Sequence, residues 1–260
     1  MKTLYNFILW SILFIFASNI FAQQTDQGIE LYKKGEFQGA IAVLKNSDDV
    51  KALLYLGLTY EKVNENGKAK DAFKRAFAKS YDIFFDAVIE EQKISGGAKK
   101  GFSDLLQKMK INNQIGLSAA EKAYNLDSGI FQTNESRIKA KVLSDTINLA
   151  EEKIEIFSSS DGLTSNIDIT EKPRAVSPKD NQGIPFVRRN QSPNKPILVT
   201  LFVVFGIDGK IKLIMPIDNL IDAYTVEGLK AATEIKFKPA TKDNKPVAYL
   251  SKIQYSFSFR

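Results

Sequence analysis

Two apolar runs, close together near the end of the chain, limit its fold most. Ile197–Phe205 (ILVTLFVVF) is built from β-branched, leucine and aromatic residues, and Lys210–Pro216 (KIKLIMP) follows it. Between them lies Gly206-Ile207-Asp208-Gly209. An Asp-Gly pair between two such runs predicts an antiparallel hairpin, because a tight turn needs residues that tolerate positive φ. Asp222–Ile235 predicts a helix, with Val226, Leu229, Ala232 and Ile235 on one face and Thr225 as the N-cap. Gly228 inside it costs about 1 kcal/mol. Ile235–Ala240 (IKFKPA) comes next, then an expected loop over Thr241–Pro246. In the last strand, Ser251–Phe259, Ile253, Tyr255, Phe257 and Phe259 alternate with Lys252, Gln254, Ser256 and Ser258. A period of two gives one buried face and one wet face. Ile197–Phe205 is apolar on both faces, unusual for an antiparallel strand with one side in water. Either helices cover both faces or a second copy of the chain does, and the sequence leaves both open.

The first half reads differently. Between Gln24 and Tyr81, Gly28, Leu31, Gly35, Phe37, Ala40 and Leu44 form one set; Gly57, Tyr60, Ala69, Phe73 and Ala76 form a second, with Leu53 and Leu56 just ahead. Small residues let two helices approach, and aromatics fill the groove between units. The second set resembles the tetratricopeptide repeat, although Tyr81 stands where that family often has Pro. Gly28 and Gly57 are 29 residues apart, short of the usual period, so the first unit is trimmed. About three units make a stable stack, so the helices that follow must complete the core. They are expected over Tyr81–Lys93, broken by Gly96-Gly97, then over Ala98–Ile111. A short one from a Ser118–Glu121 capping box reaches Leu126, and the longest covers Glu135–Phe157. Ala140, Leu143, Ile147, Ala150, Ile154 and Phe157 give that last helix one narrow apolar seam. Ser158–Glu171 is polar and Gly/Ser-containing and reads as the linker between domains. The expected class is α+β: a helical repeat domain over 23–157, then a small antiparallel sheet with a helix over 172–260.

An ordered set of residues in that second domain resembles the C-terminal domain of the TonB family. It comprises Val203-Val204-Phe205, Asp208-Gly209-Lys210, Ala231-Ala232, Ile235–Ala240, Asp243–Val247, and Tyr255 with Phe257. Asn244 stands where the family usually has Gly, and Asn also tolerates the left-handed region. The resemblance implies a periplasmic adaptor that engages a short segment of an envelope or outer-membrane protein by strand addition. The added strand would lie beside Ser251, Lys252, Ile253, Gln254, Tyr255, Ser256 and Phe257. The rival expectation is that this strand merely completes the sheet and its outer edge stays unused. Two alternatives to the adaptor stand beside it: a membrane-anchored energy transducer for outer-membrane transport, and a tetratricopeptide scaffold of an envelope assembly complex. Anchors of the family usually carry a His, which this chain lacks. The family's long Pro-rich stretch is also missing, and a helical domain takes its place. The helical groove offers room for a second protein partner.

The chemistry-bearing residues are few. The chain has no His and no Cys, so His-dependent triads, thiol catalysis, disulfides and Cys/His zinc sites are excluded. Glu90-Glu91 and Glu151-Glu152 are adjacent on helices and diverge by about 100°, which does not make an acid/base pair. Asp48-Asp49 reads as a turn or helix start. Gly96–Gly101 lacks the strand-before, helix-after setting of a phosphate loop. No enzyme and no cofactor is expected. Lys172–Arg260 carries 15 Lys and Arg against 7 Asp and Glu, so the basic charge belongs to the C-terminal domain. With no helix-turn-helix, zinc finger or basic stretch interleaved with aromatics, nucleic acid is not an expected partner. At the start, Lys2 precedes the apolar core Phe7–Ala17, and a cut between Ala22 and Gln23 would complete a secretory signal peptide over 1–22. The other reading is a retained anchor over Leu4–Ala22, interrupted by Asn6, Ser11, Ser18 and Asn19. The expected place is the periplasm, free in the first case and anchored to the inner membrane in the second.

Overall fold

A computed structural model describes residues 23–95, 99–131, 133–159, 161–178, 196–217 and 221–257. The signal segment, with Ala22, lies outside the described residues, as do Gly96-Gly97 and Ser258–Arg260. The chain is α+β and divides into two compact units. One runs to Ser80 and takes in Ile115–Ile130; the other holds Tyr81–Gln114 and everything from Phe131.

The first unit contains two helix hairpins. The helix at residues 23–33 (α1) pairs with α2, Phe37–Leu44; α3, Val50–Lys62, pairs with the start of α4, Asn66–Ser95. The two hairpins repeat the same contacts at a spacing of 29 residues. A Cβ on Gly28 would collide with Leu44, and a Cβ on Gly57 would collide with Phe73. At the turns, Gly35 has φ 78° and Asn64 has φ 59°. Glu36 N–H then donates to Leu31 C=O, as Glu65 N–H does to Tyr60 C=O, both at 2.9 Å. Left-handed residues close such helix ends, and Gly and Asn are the two that enter that region most readily. Asp49 caps α3 by accepting from Ala52 N–H at 2.9 Å. Ala40, Leu44, Ala52, Leu56 and Ala72 form the core between the hairpins.

Three expectations about the middle helices are corrected. Asn66–Ser95 is one helix of 30 residues, because nothing near Tyr81 breaks its 3.6-residue apolar period. Lys99–Leu126 (α5) is likewise continuous over 28 residues, so Ser118–Glu121 lies inside a helix and is not a capping box. The longest helix is therefore α4, not the one predicted at Glu135. That one (α6) is Asn134–Glu152: Thr133 caps it, and Lys153, at φ 52°, ends it in the left-handed region. The seam it was given stops at Ala150, and Ile156–Phe157 is a strand.

In the second unit the strands are β1 Ile156–Phe157, β2 Asp168–Glu171, β3 Ile197–Phe205, β4 Ile211–Pro216, β5 Lys236–Lys238, β6 Ala240–Lys242 and β7 Lys245–Phe257. The main sheet has the order β1-β7-β3-β4, with β6 pairing the start of β7; β2 and β5 form a separate ribbon. The predicted β3–β4 hairpin is present and antiparallel, with Gly209 at φ 73° in its loop. Helix α7, Ala223–Thr233, lies on one face of the sheet. Its cap is Asp222, not Thr225: the Asp222 carboxylate accepts from Thr225 N–H at 2.8 Å and from its hydroxyl at 2.9 Å. Gly228 has a packing reason, since a Cβ there would come within 3.0 Å of Val199 Cγ1. The loop expected over Thr241–Pro246 is a two-residue turn, Asp243 (φ 50°) and Asn244 (φ 60°), and β7 begins at Lys245.

The expected linker is not a linker. Leu163, Ile167 and Ile169 pack against the sheet core, β2 pairs with β5, and Thr164 and Ser165 N–H both donate to Thr241 C=O. Its apolar residues outweigh the polar composition that suggested a free tether. The change from one unit to the other falls instead within α4 and α5. One face of β3 is covered along its whole length, with Val199, Leu201 and Val203 buried; the other is covered only in its C-terminal half, at Phe202 and Val204, while Leu198 is exposed and Thr200 half-buried.

Candidate interaction edge of the C-terminal sheet

Strand β7 is joined to β3 in unbroken antiparallel register from Tyr249↔Phe205 to Phe257↔Ile197. On its other side, β1 pairs in parallel with Ala248 and Tyr249 only. The Phe157↔Tyr249 bridge uses the outward N–H of Leu250; from Ser251 to Phe257 the outer edge of β7 has no strand partner among the described residues.

The direction of each amide follows from one bond. Ile217 N–H donates to Thr200 C=O at 3.0 Å, so the main-chain groups of Thr200 turn toward β4. Opposite Thr200 on β7 is Gln254, which therefore turns its own N–H and C=O away from β3. By alternation the outward amides belong to Leu250, Lys252, Gln254 and Ser256; those of Ser251, Ile253, Tyr255 and Phe257 bond to β3.

Side chains alternate as the sequence predicts. Ile253, Tyr255 and Phe257 are buried against the core under α7; Lys252, Gln254 and Ser256 are exposed, and Ser251 is half-buried. Tyr224 and Phe257 meet edge to face at 5.2 Å. Burial pushes the Tyr255 phenol up to about 12, with Glu234 adding to the shift, and its hydroxyl has no hydrogen-bond partner among the described residues. Gln254 Nε2 donates to Thr200 Oγ1 at 3.2 Å across the strands. Gln23, the other half of the expected cleavage site, is exposed in α1.

The structure adds a residue that sequence reasoning missed. Lys172 Nζ donates to the outward Gln254 C=O at 2.8 Å and stands 5.0 Å from the centre of the Tyr255 ring. On the opposite face, Lys252 Nζ stands 5.4 Å from the centre of Phe202. No sequence pattern signals Lys172, because it reaches the edge only through the pairing of β2 with β5. Strand β1 had a faint signal, the apolar pair Ile156-Phe157 just after the helix stop.

A second, smaller candidate surface lies on the helix hairpins. Tyr32, Phe37, Tyr55 and Tyr60 are half-buried, and the Tyr32 ring centre is 5.5 Å from Tyr55 and 6.0 Å from Phe37. The paired carboxylates are separated as expected: Glu151 Oε1 meets Lys110, whereas Glu152 meets Lys212. Asp48 faces Arg75 and Lys79. Among the described residues no three His, Cys, Asp or Glu side chains gather as a metal site, and no helix is long and apolar enough to cross a membrane.

No protein-family model matches this chain, and no curated protein matches it. Among solved structures, one described as the crystal structure of MamA protein is 19% identical. The alignment covers 51% of this chain and 85% of that one, at a TM-score of 0.21, too low to bear on fold or role.

Proposed function

We propose that this chain is a protein-interaction module of the cell envelope, TonB-like in its C-terminal sheet. It takes an extended segment of an envelope or outer-membrane protein as an added strand on β7. One observation carries the reading: outward amides at Lys252, Gln254 and Ser256 that no strand of the described chain pairs. Strand addition draws its affinity from such main-chain groups, and an edge meant to stay free is usually protected by several Lys, a Pro or a bulge. Over Ser251–Phe257, Lys252 is the lone charge, and there is no Pro. The helix hairpins, with their half-buried aromatics, supply a second protein-binding face, and the signal-like segment supports a periplasmic setting.

Two proline variants test it. Gln254→Pro removes an outward amide, so the sheet survives and binding is lost. Tyr255→Pro removes an amide bonded to β3 and breaks the sheet. Capture of outer-membrane proteins by full-length Gln254→Pro, folded by circular dichroism and equal to wild type, overturns the proposal.

A further inference from the structure

The open edge also carries information about what it would bind. The two cations beside it, Lys172 and Lys252, stand on opposite faces of the sheet. Tyr255, under Lys172, belongs to the face covered by α7, whereas Phe202, under Lys252, belongs to the other. Where β1 leaves β7, a hollow of about 360 Å³ opens beside Leu250–Lys252. Gln92, Ser158, Ser159, Ser251 and Lys252 give it its polar lining, which includes no carboxylate. The nearby Asp161 carboxylate accepts from both the N–H (2.6 Å) and the hydroxyl (3.1 Å) of Ser158. The Ser158 donors are thus committed to that carboxylate, and the Lys252 ammonium, Gln92 amide and Ser159 hydroxyl are the lining groups that suit a further anionic group.

Lys172 makes the same demand for a different reason. Its ammonium occupies the Gln254 carbonyl, one of the outward acceptors that an added strand needs. An incoming N–H must compete with it for that oxygen, weakening or displacing the ammonium's bond. That costs a charge-assisted bond, unless the incoming strand brings a carboxylate to receive the ammonium.

We infer that the β7 edge selects an acidic extended segment, with one carboxylate for Lys252 and its hollow and another for Lys172. This rests on the strand-addition reading above. Successive residues of a strand point to opposite faces, so two carboxylates serving opposite faces must be an odd number of positions apart. Residues facing Lys252 and Tyr255 across the edge would be three apart. Acids at i and i+2 would both fall on one face and leave one cation unmet.

The test is a phage-displayed library of random ten-residue peptides, selected on the immobilised full chain. The expected outcome is enrichment of Asp and Glu pairs at odd spacing, three above all. Binding of the winning peptide should weaken about two- to fivefold with each of Lys172→Gln and Lys252→Gln, the range of exposed ion pairs, and fall further as salt rises. Gln254→Pro, with Ser256→Pro as a second outward-amide variant should the first misfold, should abolish it. If the winners lack acid pairs, or the two glutamine variants bind them as wild type does, yet the proline variants still abolish binding, the charge inference is overturned and strand addition stands. If the folded proline variants bind unchanged, or no peptide is enriched, both are overturned.

Discussion

The two helix hairpins and the C-terminal sheet solve the same problem, burying a thin apolar layer, over very different stretches of chain. In the hairpins every defining contact is local: Gly28 with Leu44 and Gly57 with Phe73, sixteen residues on in each case. In the sheet Ile197 pairs with Phe257, and Phe157 pairs with Tyr249, 92 residues later. The local solution is copied in position: a glycine, a large partner sixteen residues on and a left-handed turn residue recur, although Leu44 becomes Phe73 and Gly35 becomes Asn64. The distant solution is assembled from unlike pieces, and each piece has its own reason for being there.

Removing a large partner from a hairpin should have the greatest effect. Phe73→Ala should cost about 3–5 kcal/mol and Leu44→Ala about 2–5, measured by urea denaturation. If one is near neutral and the other is not, the two hairpins are not equivalent. Filling the glycine sites comes next. Gly57→Ala should destabilise by about 1–3 kcal/mol through overpacking, less about 1 regained in helix propensity. Gly228→Ala, on α7 of the sheet unit, meets Val199 Cγ1 tightly at 3.0 Å but Val199 Cβ and Tyr255 only at ordinary contact, and should lose less than Gly57→Ala, whose Cβ would collide with the Phe73 ring. A larger loss at Gly228 would make the sheet the stricter of the two. Asp222→Ala should then cost about 1 kcal/mol, the usual worth of an N-cap.

A smaller effect in the sheet unit depends on pH. In the folded state the Tyr255 phenol titrates near 12, above its ordinary 10, so the protonated form is favoured by folding. The stability this provides is complete below pH 10 and is lost as pH rises toward 12. Denaturation curves across pH 9–12 should show that loss. Tyr255→Phe should abolish its share, at no cost to stability near neutrality, because the buried hydroxyl it removes has no partner among the described residues. An unchanged alkaline profile in that variant would assign the loss elsewhere.

Legibility followed the same division. The repeat, its 29-residue period and the β3–β4 hairpin were readable because each depends on residues close in sequence. So was the alternation of Ile253, Tyr255 and Phe257 with exposed Lys252, Gln254 and Ser256. What escaped depends on distant partners. Ser158–Glu171 looked like a tether because only its packing reveals Leu163, Ile167 and Ile169 as core residues. Tyr81–Lys93 looked separate from the helix before it because the repeat pattern, not the backbone, ended there. Asn244 was legible as a left-handed residue, but the length of its turn was not, since Lys245–Val247 pair with β6 rather than forming a loop. At the candidate edge the strand could be read, and Lys172 could not.

The position of β7 in the sheet also sets an order of events during synthesis. Its neighbours β1 and β3 are made first, yet each meets β7, not the other, and β4 hangs on β3 alone. Until about residue 257 has emerged, the chain can close the β3–β4 hairpin and little more of the sheet. The first unit needs only residues up to Ile130 and can fold while the rest is still being made. A ribosome or translocon stalled before Lys245 would therefore hold a finished repeat followed by an open, strongly apolar hairpin. That interval is when the chain is most exposed to aggregation, and it ends with a single strand.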